Sequence, residues 1–151
     1  MATTLTTETQ TARPEQIVND APRMFSDADF PIGSVSHQGD LILVRIRTLP
    51  PSSRARTNRQ LAEGSTQGSR HILTVGDVFD CEPAEIAREI EAVCKARVGE
   101  QYIGPVFCTR DGKADVLHPE HGDQHYCGDM TIAVVYQRNL DAEERERRVL
   151  D

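Results

Sequence analysis

The stretch "DCEPAEIAREIEAVCKARVG", residues 80–99, constrains the fold most, because it carries the one strong helical-period apolar stripe in the chain. Ile86, Ile90, Val93 and Cys94 stand at i, i+4, i+7 and i+8, while Glu82, Glu85, Arg88, Glu89 and Lys95 fall on the opposite side. A helix that buries one face has this pattern. Asp80 or Glu82 can cap its start beside Pro83, and Gly99 suits its end, which predicts a helix over about 82–98. Arg97 falls on the stripe and ends the apolar face, unless its stem lies along the core and its charge reaches out.

The remaining apolar segments are short and read as strands. In "GDLILVRIRTL", Leu41, Leu43, Val44 and Ile46 alternate toward the end with Arg45 and Arg47, as in a strand half-buried on one face, and "PPSS" stops it. Residues 60–63 and 69–75 read as a hairpin about a Gly/Ser/Thr turn at 64–68. "YIGPVFCTRDGKADVLHPE" gives a strand, a tight turn at Asp111 and Gly112, and a return strand through Val116 and Leu117. "MTIAVVYQRNL" is the most β-prone run, and 141–151 is a charged short helix or tail with Asp141 and Glu144 at capping-box spacing. The order predicts a mainly β (α+β) fold: a small antiparallel sheet or barrel with one amphipathic helix docked on it.

Residues 1–34 are rich in Thr, Ala, Pro, Asp and Ser without periodicity, and read as a flexible, extended N-terminal arm ahead of a single β-rich domain over 35–151. Within the arm, Met24, Phe25, Phe30 and Ile32 stand among polar residues, the composition of a segment that docks on its own domain or on a partner. The chain has 151 residues and no Trp, and aromatics make up 5%, which argues against stacking platforms for single-stranded nucleic acid. A net charge of −7 disfavours nonspecific nucleic-acid or anionic-membrane binding. Cys81, Cys94, Cys108 and Cys127 form no C-x-x-C pair and read as free buried thiols in a reducing compartment. With neither an apolar leader nor a membrane-length run, the expectation is a soluble cytoplasmic protein.

Chemistry concentrates in "HPEHGDQHYC", residues 118–127. His118, His121 and His125 fall within eight positions, and Pro119 and Gly122 exclude a continuous metalloprotease-type helix. A loop site for zinc or another divalent transition metal remains, with His71 of the neighbouring hairpin as a fourth ligand and Asp123 or Cys127 as a further one. Such a site would be cupin-like in shape, although the paired histidines of that pattern are missing from "SRHILTVGD". The competing reading is a polar turn between strands. A second cluster, Arg54, Arg56 and Arg59, could clamp phosphate, nucleic acid or a carboxylate-rich partner, or could guard a solvated strand edge. The Gly64 and Gly68 turn matches no phosphate-binding fingerprint.

The segments "HQGDLILVRI", "LAEGSTQGSRHIL", "LHPEHG" and "VVYQRNLDAEERERRVLD" resemble a group of small, uncharacterised bacterial and phage proteins that run G-D, then L-A-E-G with a Gly-rich, His-bearing turn, then an L-H-x-E-H loop and a C-terminal Q-R with R-x-V-x-D. His71, His118 and His121 fall on the group's histidine positions, whereas Ser69 stands where members often carry another. The helix and the arm look like additions to a smaller domain. The resemblance implies a compact β fold and no established activity. The leading expectation is therefore a non-catalytic binding or assembly protein, acting on itself or on another protein through its arm. A metal-binding protein or metal-dependent enzyme is the alternative, and a basic-loop phosphate or nucleic-acid binder the third.

Overall fold

The computed structural model describes residues 23–62, 71–118 and 122–137. Ten strands follow in chain order: β1 (Arg23–Phe25), β2 (Val35–Gln38), β3 (Leu41–Ile46), β4 (Arg54–Arg56), β5 (Ile72–Val75), β6 (Asp77–Asp80), β7 (Ile103–Cys108), β8 (Lys113–Leu117), β9 (Gln124–Cys127) and β10 (Thr131–Tyr136). One α-helix among the described residues, α1 (Pro83–Cys94), lies between β6 and β7. The strands form a six-stranded sheet, in the order β2-β3-β10-β7-β6-β4, and a four-stranded sheet, in the order β1-β9-β8-β5. This is a small α+β fold dominated by strands. It is a two-sheet sandwich and not a closed barrel, and its pairings are antiparallel except β1 with β9.

Two cores explain why the central strands are so apolar. Leu41 and Leu43 of β3, Phe107 of β7, and Ile132 and Val134 of β10 face the four-stranded sheet, where they meet Leu73, Val116 and Tyr126. Val44, Ile46, Val106, Ala133 and Val135, from the other face of the same strands, meet Ile86 and Ile90 of α1. With side chains alternating between faces, a strand covered on both sides must be apolar at nearly every position. Reading β3 as buried on one face was therefore wrong. The layers run helix, six-stranded sheet, four-stranded sheet.

The helix buries its predicted stripe but stops earlier than its composition suggests. Lys95 adopts a left-handed conformation (φ 60°) and its N–H bonds the carbonyl of Glu91, so the C-cap is Lys95 and not Gly99. Gly99 instead leads into a short 3₁₀ turn, Glu100–Tyr102, and Arg97 lies outside the helix with its side chain 91% exposed. At the other end Glu82 is the N-cap but caps nothing with its own side chain. Ser52, from the loop after β3, accepts the Glu82 N–H (2.9 Å) and donates to Glu85 (2.6 Å). The cap thus comes from a distant loop that local sequence could not name.

Turns between layers are the other surprise. The left-handed pair Asp111 (φ 53°) and Gly112 (φ 78°) makes the expected tight turn, yet only Arg110 and Lys113 pair across it. Beyond them β7 enters one sheet and β8 the other. The predicted hairpin of 60–63 with 69–75 keeps a bridge from Gln60 to Ile72, and Leu61 N–H donates to the His71 carbonyl (2.7 Å); residues 63–70 lie outside the described residues. Residues 141–151, with the capping-box pair, also lie outside them.

Residues 23–34, assigned by composition to the flexible arm, pack on the domain. Phe30 is 2% exposed, and Phe25 stacks on Tyr126 with ring centroids 5.0 Å apart. Arg45 fastens this segment, donating to the Phe30 carbonyl (2.8 Å) and the Asp129 carbonyl (3.3 Å) and pairing with Asp27 (2.9 Å). Two aromatic side chains and one clasping arginine outweigh the ordering cost that polar composition alone would leave unmet. Cys81, Cys94, Cys108 and Cys127 are free and half-buried. No helix among the described residues is long and apolar enough to cross a membrane.

Candidate functional site at the histidine end of the sandwich

Where β2 approaches β9, a line of buried polar side chains runs between the sheets. The Tyr126 hydroxyl donates to Gln124 Oε1 (2.6 Å) and lies 2.9 Å from Ser36 Oγ, while Gln124 Nε2 donates to the His37 carbonyl (2.6 Å). Burial pushes the Tyr126 phenol far above its usual range, so it stays protonated and able to donate. Next along the line, Gln38 Nε2 donates to the carbonyls of Val116 (3.0 Å) and Gly122 (2.8 Å), and Gln38 Oε1 lies 2.8 Å from His71 Nδ1. A buried amide with both ends bonded is a rigid strut.

His71, fully buried just before β5, packs against His118, which follows β8; their ring centroids are 4.3 Å apart at a 44° tilt. On its far side, His71 Nε2 lies 3.5 Å from Asp40 Oδ1. Asp40 belongs to the two-residue β2–β3 turn with Gly39 (φ 61°), and its side chain is 34% exposed, so this edge of the cluster opens to water. Glycine first in a two-residue hairpin turn suits the type that fits strand twist.

Of the four predicted metal ligands, the structure thus brings His71 and His118 together. His125 points the other way: it is opposite Asp115 in the sheet register and bonds Asp115 Oδ1 through Nδ1 (2.8 Å), on the outer face of the four-stranded sheet. Cys127, two residues on, shares that outer face. Asp123 accepts the backbone N–H of His118 (3.2 Å) and so ties the end of β8 to the start of β9. His121 lies outside the described residues. Among the described residues, no group of three or more His, Cys, Asp or Glu side chains is arranged to hold a metal ion.

A family model described as a domain of unknown function (DUF8820) matches residues 37–126, more than half of the chain. The chain belongs to that family. The DUF8820 span runs from within β2 to within β9 and holds Gln38, Asp40, His71 and His118. No curated protein and no solved structure matches the chain.

The basic cluster falls inside the DUF8820 span but does not converge on one anion. Arg59 donates to the carbonyls of Leu73 and Gly76 (both 2.6 Å), closing the corner where β5 passes into β6. Arg56 lies 3.6 Å from Asp80, and Arg54 is exposed on the edge strand β4. The arm residues lie outside the matched span and divide by side: Phe30 is buried and Phe25 half-buried against the inter-sheet core, while Met24 is 68% and Ile32 50% exposed. A separate groove of about 320 Å³ between Leu49–Pro51 and α1 is walled partly by Arg47 and Glu89, which neutralise each other through two short hydrogen bonds (2.8 and 2.9 Å).

Gln38 and Asp40 escaped the sequence reading, although a signal for Gln38 was present. In "HQGDL" a two-residue turn at Gly39 and Asp40 sets Gln38 opposite Leu41, on the same face. Leu41 belongs in a core, so Gln38 must be buried and needs partners.

Proposed function

We propose that this DUF8820 domain is a binding module that takes a divalent transition-metal ion, zinc foremost, at the histidine end of its sandwich. The observation that carries the reading is His71 Nε2 facing Asp40 Oδ1 at 3.5 Å. A tetrahedral ion with bonds of roughly 2.0–2.1 Å sets two of its ligand atoms about 3.4 Å apart. Imidazole and carboxylate are donors that zinc and ferrous iron accept. His118 touches His71, and residues 119–121 follow it directly, so His118 and His121 are the further ligands the chain offers. Asp40 supplies both negative charge and the side open to water.

The test is metal analysis and calorimetry on full-length, tag-free protein. Saturable binding of about one Zn²⁺ per chain, weakened at least tenfold by His71→Ala and by Asp40→Asn, is the expected result. Failure to bind Zn²⁺, Fe²⁺ or Mn²⁺ ends the reading. A second reading, self-assembly or docking through the N-terminal segment, draws support from the exposure of Met24 and Ile32. Light scattering should then give a multimer that Met24→Ser with Ile32→Ser dissociates, and a monomeric wild type would remove it.

A further inference from the structure

We infer that Gln38 is the positioning residue of this site: it holds His71 as the tautomer with the proton on Nδ1, leaving Nε2 as the atom that meets a ligand. Two backbone carbonyls decide the orientation of the Gln38 amide. Its nitrogen has the Val116 and Gly122 carbonyl oxygens at 3.0 and 2.8 Å, and neither oxygen can donate. Turning the amide over would discard both bonds and set oxygen against oxygen twice, all out of contact with water, since Gln38 is 1% exposed. The amide oxygen therefore faces His71 Nδ1 at 2.8 Å, and an oxygen acceptor at that distance requires a proton on that nitrogen.

Two consequences follow. A neutral His71 carries its lone pair on Nε2, on the Asp40 side, where a cation would bind. A histidine ligand commonly gives its other ring N–H to an oxygen, which fixes the ring and strengthens its donor atom, and Gln38 stands in that place. The same amide also grips the carbonyl of Gly122 (φ 80°), so one side chain ties the ring of His71 to the backbone at Gly122, just ahead of β9. The inference rests on the metal reading only for what Nε2 binds; the tautomer stands by itself.

Long-range ¹H–¹⁵N NMR of the metal-free, full-length protein reads the tautomer directly. The expected spectrum has His71 protonated at Nδ1 and unprotonated at Nε2. In Gln38→Met, which removes the acceptor and both donors at similar size, protonation should redistribute toward Nε2 and zinc affinity should fall about 10–100-fold. A proton on Nε2 in the wild type, as the other neutral tautomer or as imidazolium, overturns the inference, and so does a Gln38→Met protein that keeps the wild-type tautomer. If that variant does not fold, the wild-type spectrum decides alone. The two proposals fail separately: no zinc binding with Nδ1–H present removes the metal reading, whereas zinc binding with Nε2–H in the metal-free state removes the role of Gln38.

Discussion

Replacing Phe30 with Ala tests whether the N-terminal segment is part of the fold. Phe30 is 2% exposed, with its ring 5.1 Å from that of Phe25 and 5.4 Å from that of Tyr126. Losing a buried phenylalanine removes roughly 2–3 kcal/mol of transfer free energy, and the cavity adds to that where neighbours cannot collapse, so measured costs run to about 3–5 kcal/mol. The segment sits at the edge of the four-stranded sheet and can partly collapse, which sets the expectation near the lower end, about 3 kcal/mol. At about 4 °C per kcal/mol for a domain near 100 residues, the melting midpoint should fall by about 12 °C. Urea unfolding by tyrosine fluorescence, with Met24→Ala as control, measures it; Met24 is 68% exposed and its loss should stay within about 0.5 kcal/mol. If Phe30→Ala unfolds within about 1 kcal/mol of the wild type, the segment is not held as described, and the composition-based arm was the right reading.

Gly76, at φ +118°, has a site for a Cβ only 2.8 Å from the Cys108 carbonyl, so Gly76→Ala should cost about 2–3 kcal/mol by urea unfolding, against about 1 kcal/mol for Gly112→Ala at φ +78° in open space. Hydrogen bonds from Arg47 hold the Glu89 carboxyl below its ordinary range. A carboxyl lowered on folding adds stability that is complete above its unfolded pKa of about 4.3 and disappears as pH falls through the folded value. Glu89→Gln should therefore be less stable than wild type at neutral pH, and the two unfolding curves should converge in acid; a gap that persists in acid would assign the effect to packing. Burial, helped by Glu85 and Asp80, pushes the Cys81 thiol up to about 11, so at mildly alkaline pH its alkylation by iodoacetamide should be at least ~100-fold slower in the native than in the unfolded chain, read by peptide mass spectrometry.

The fold was legible wherever local pattern and tertiary setting agree. The stripe Ile86, Ile90, Val93 and Cys94 needed only periodicity, and the Asp111–Gly112 turn only its residue types. What local pattern lacks is knowledge of who lies opposite. Ser52 caps a helix thirty residues away in sequence, a relation no window around Glu82 contains. Likewise, the few apolar residues at 23–34 look insufficient until Tyr126 and Arg45 appear beneath them.

For the site, strand parity separates what the histidine-rich motif joins. His118 lies two residues beyond Val116, which faces the core, so its ring continues on the inner side. Gln124 and Tyr126 face inward, and His125 between them must face out, where the register sets it against Asp115. Three histidines within eight positions are thus not one site by proximity: a side chain's partner is set by odd or even position once the strand is known. Applied to "HQGDL", the same rule places Gln38 inward beside Leu41 and sends Asp40 to the turn at the rim. His71 stands between them, bonded to the amide on one side and facing the carboxylate on the other. A cluster read from composition as four imidazoles becomes, through parity, two imidazoles in tilted contact with a buried amide behind and an acid at the opening.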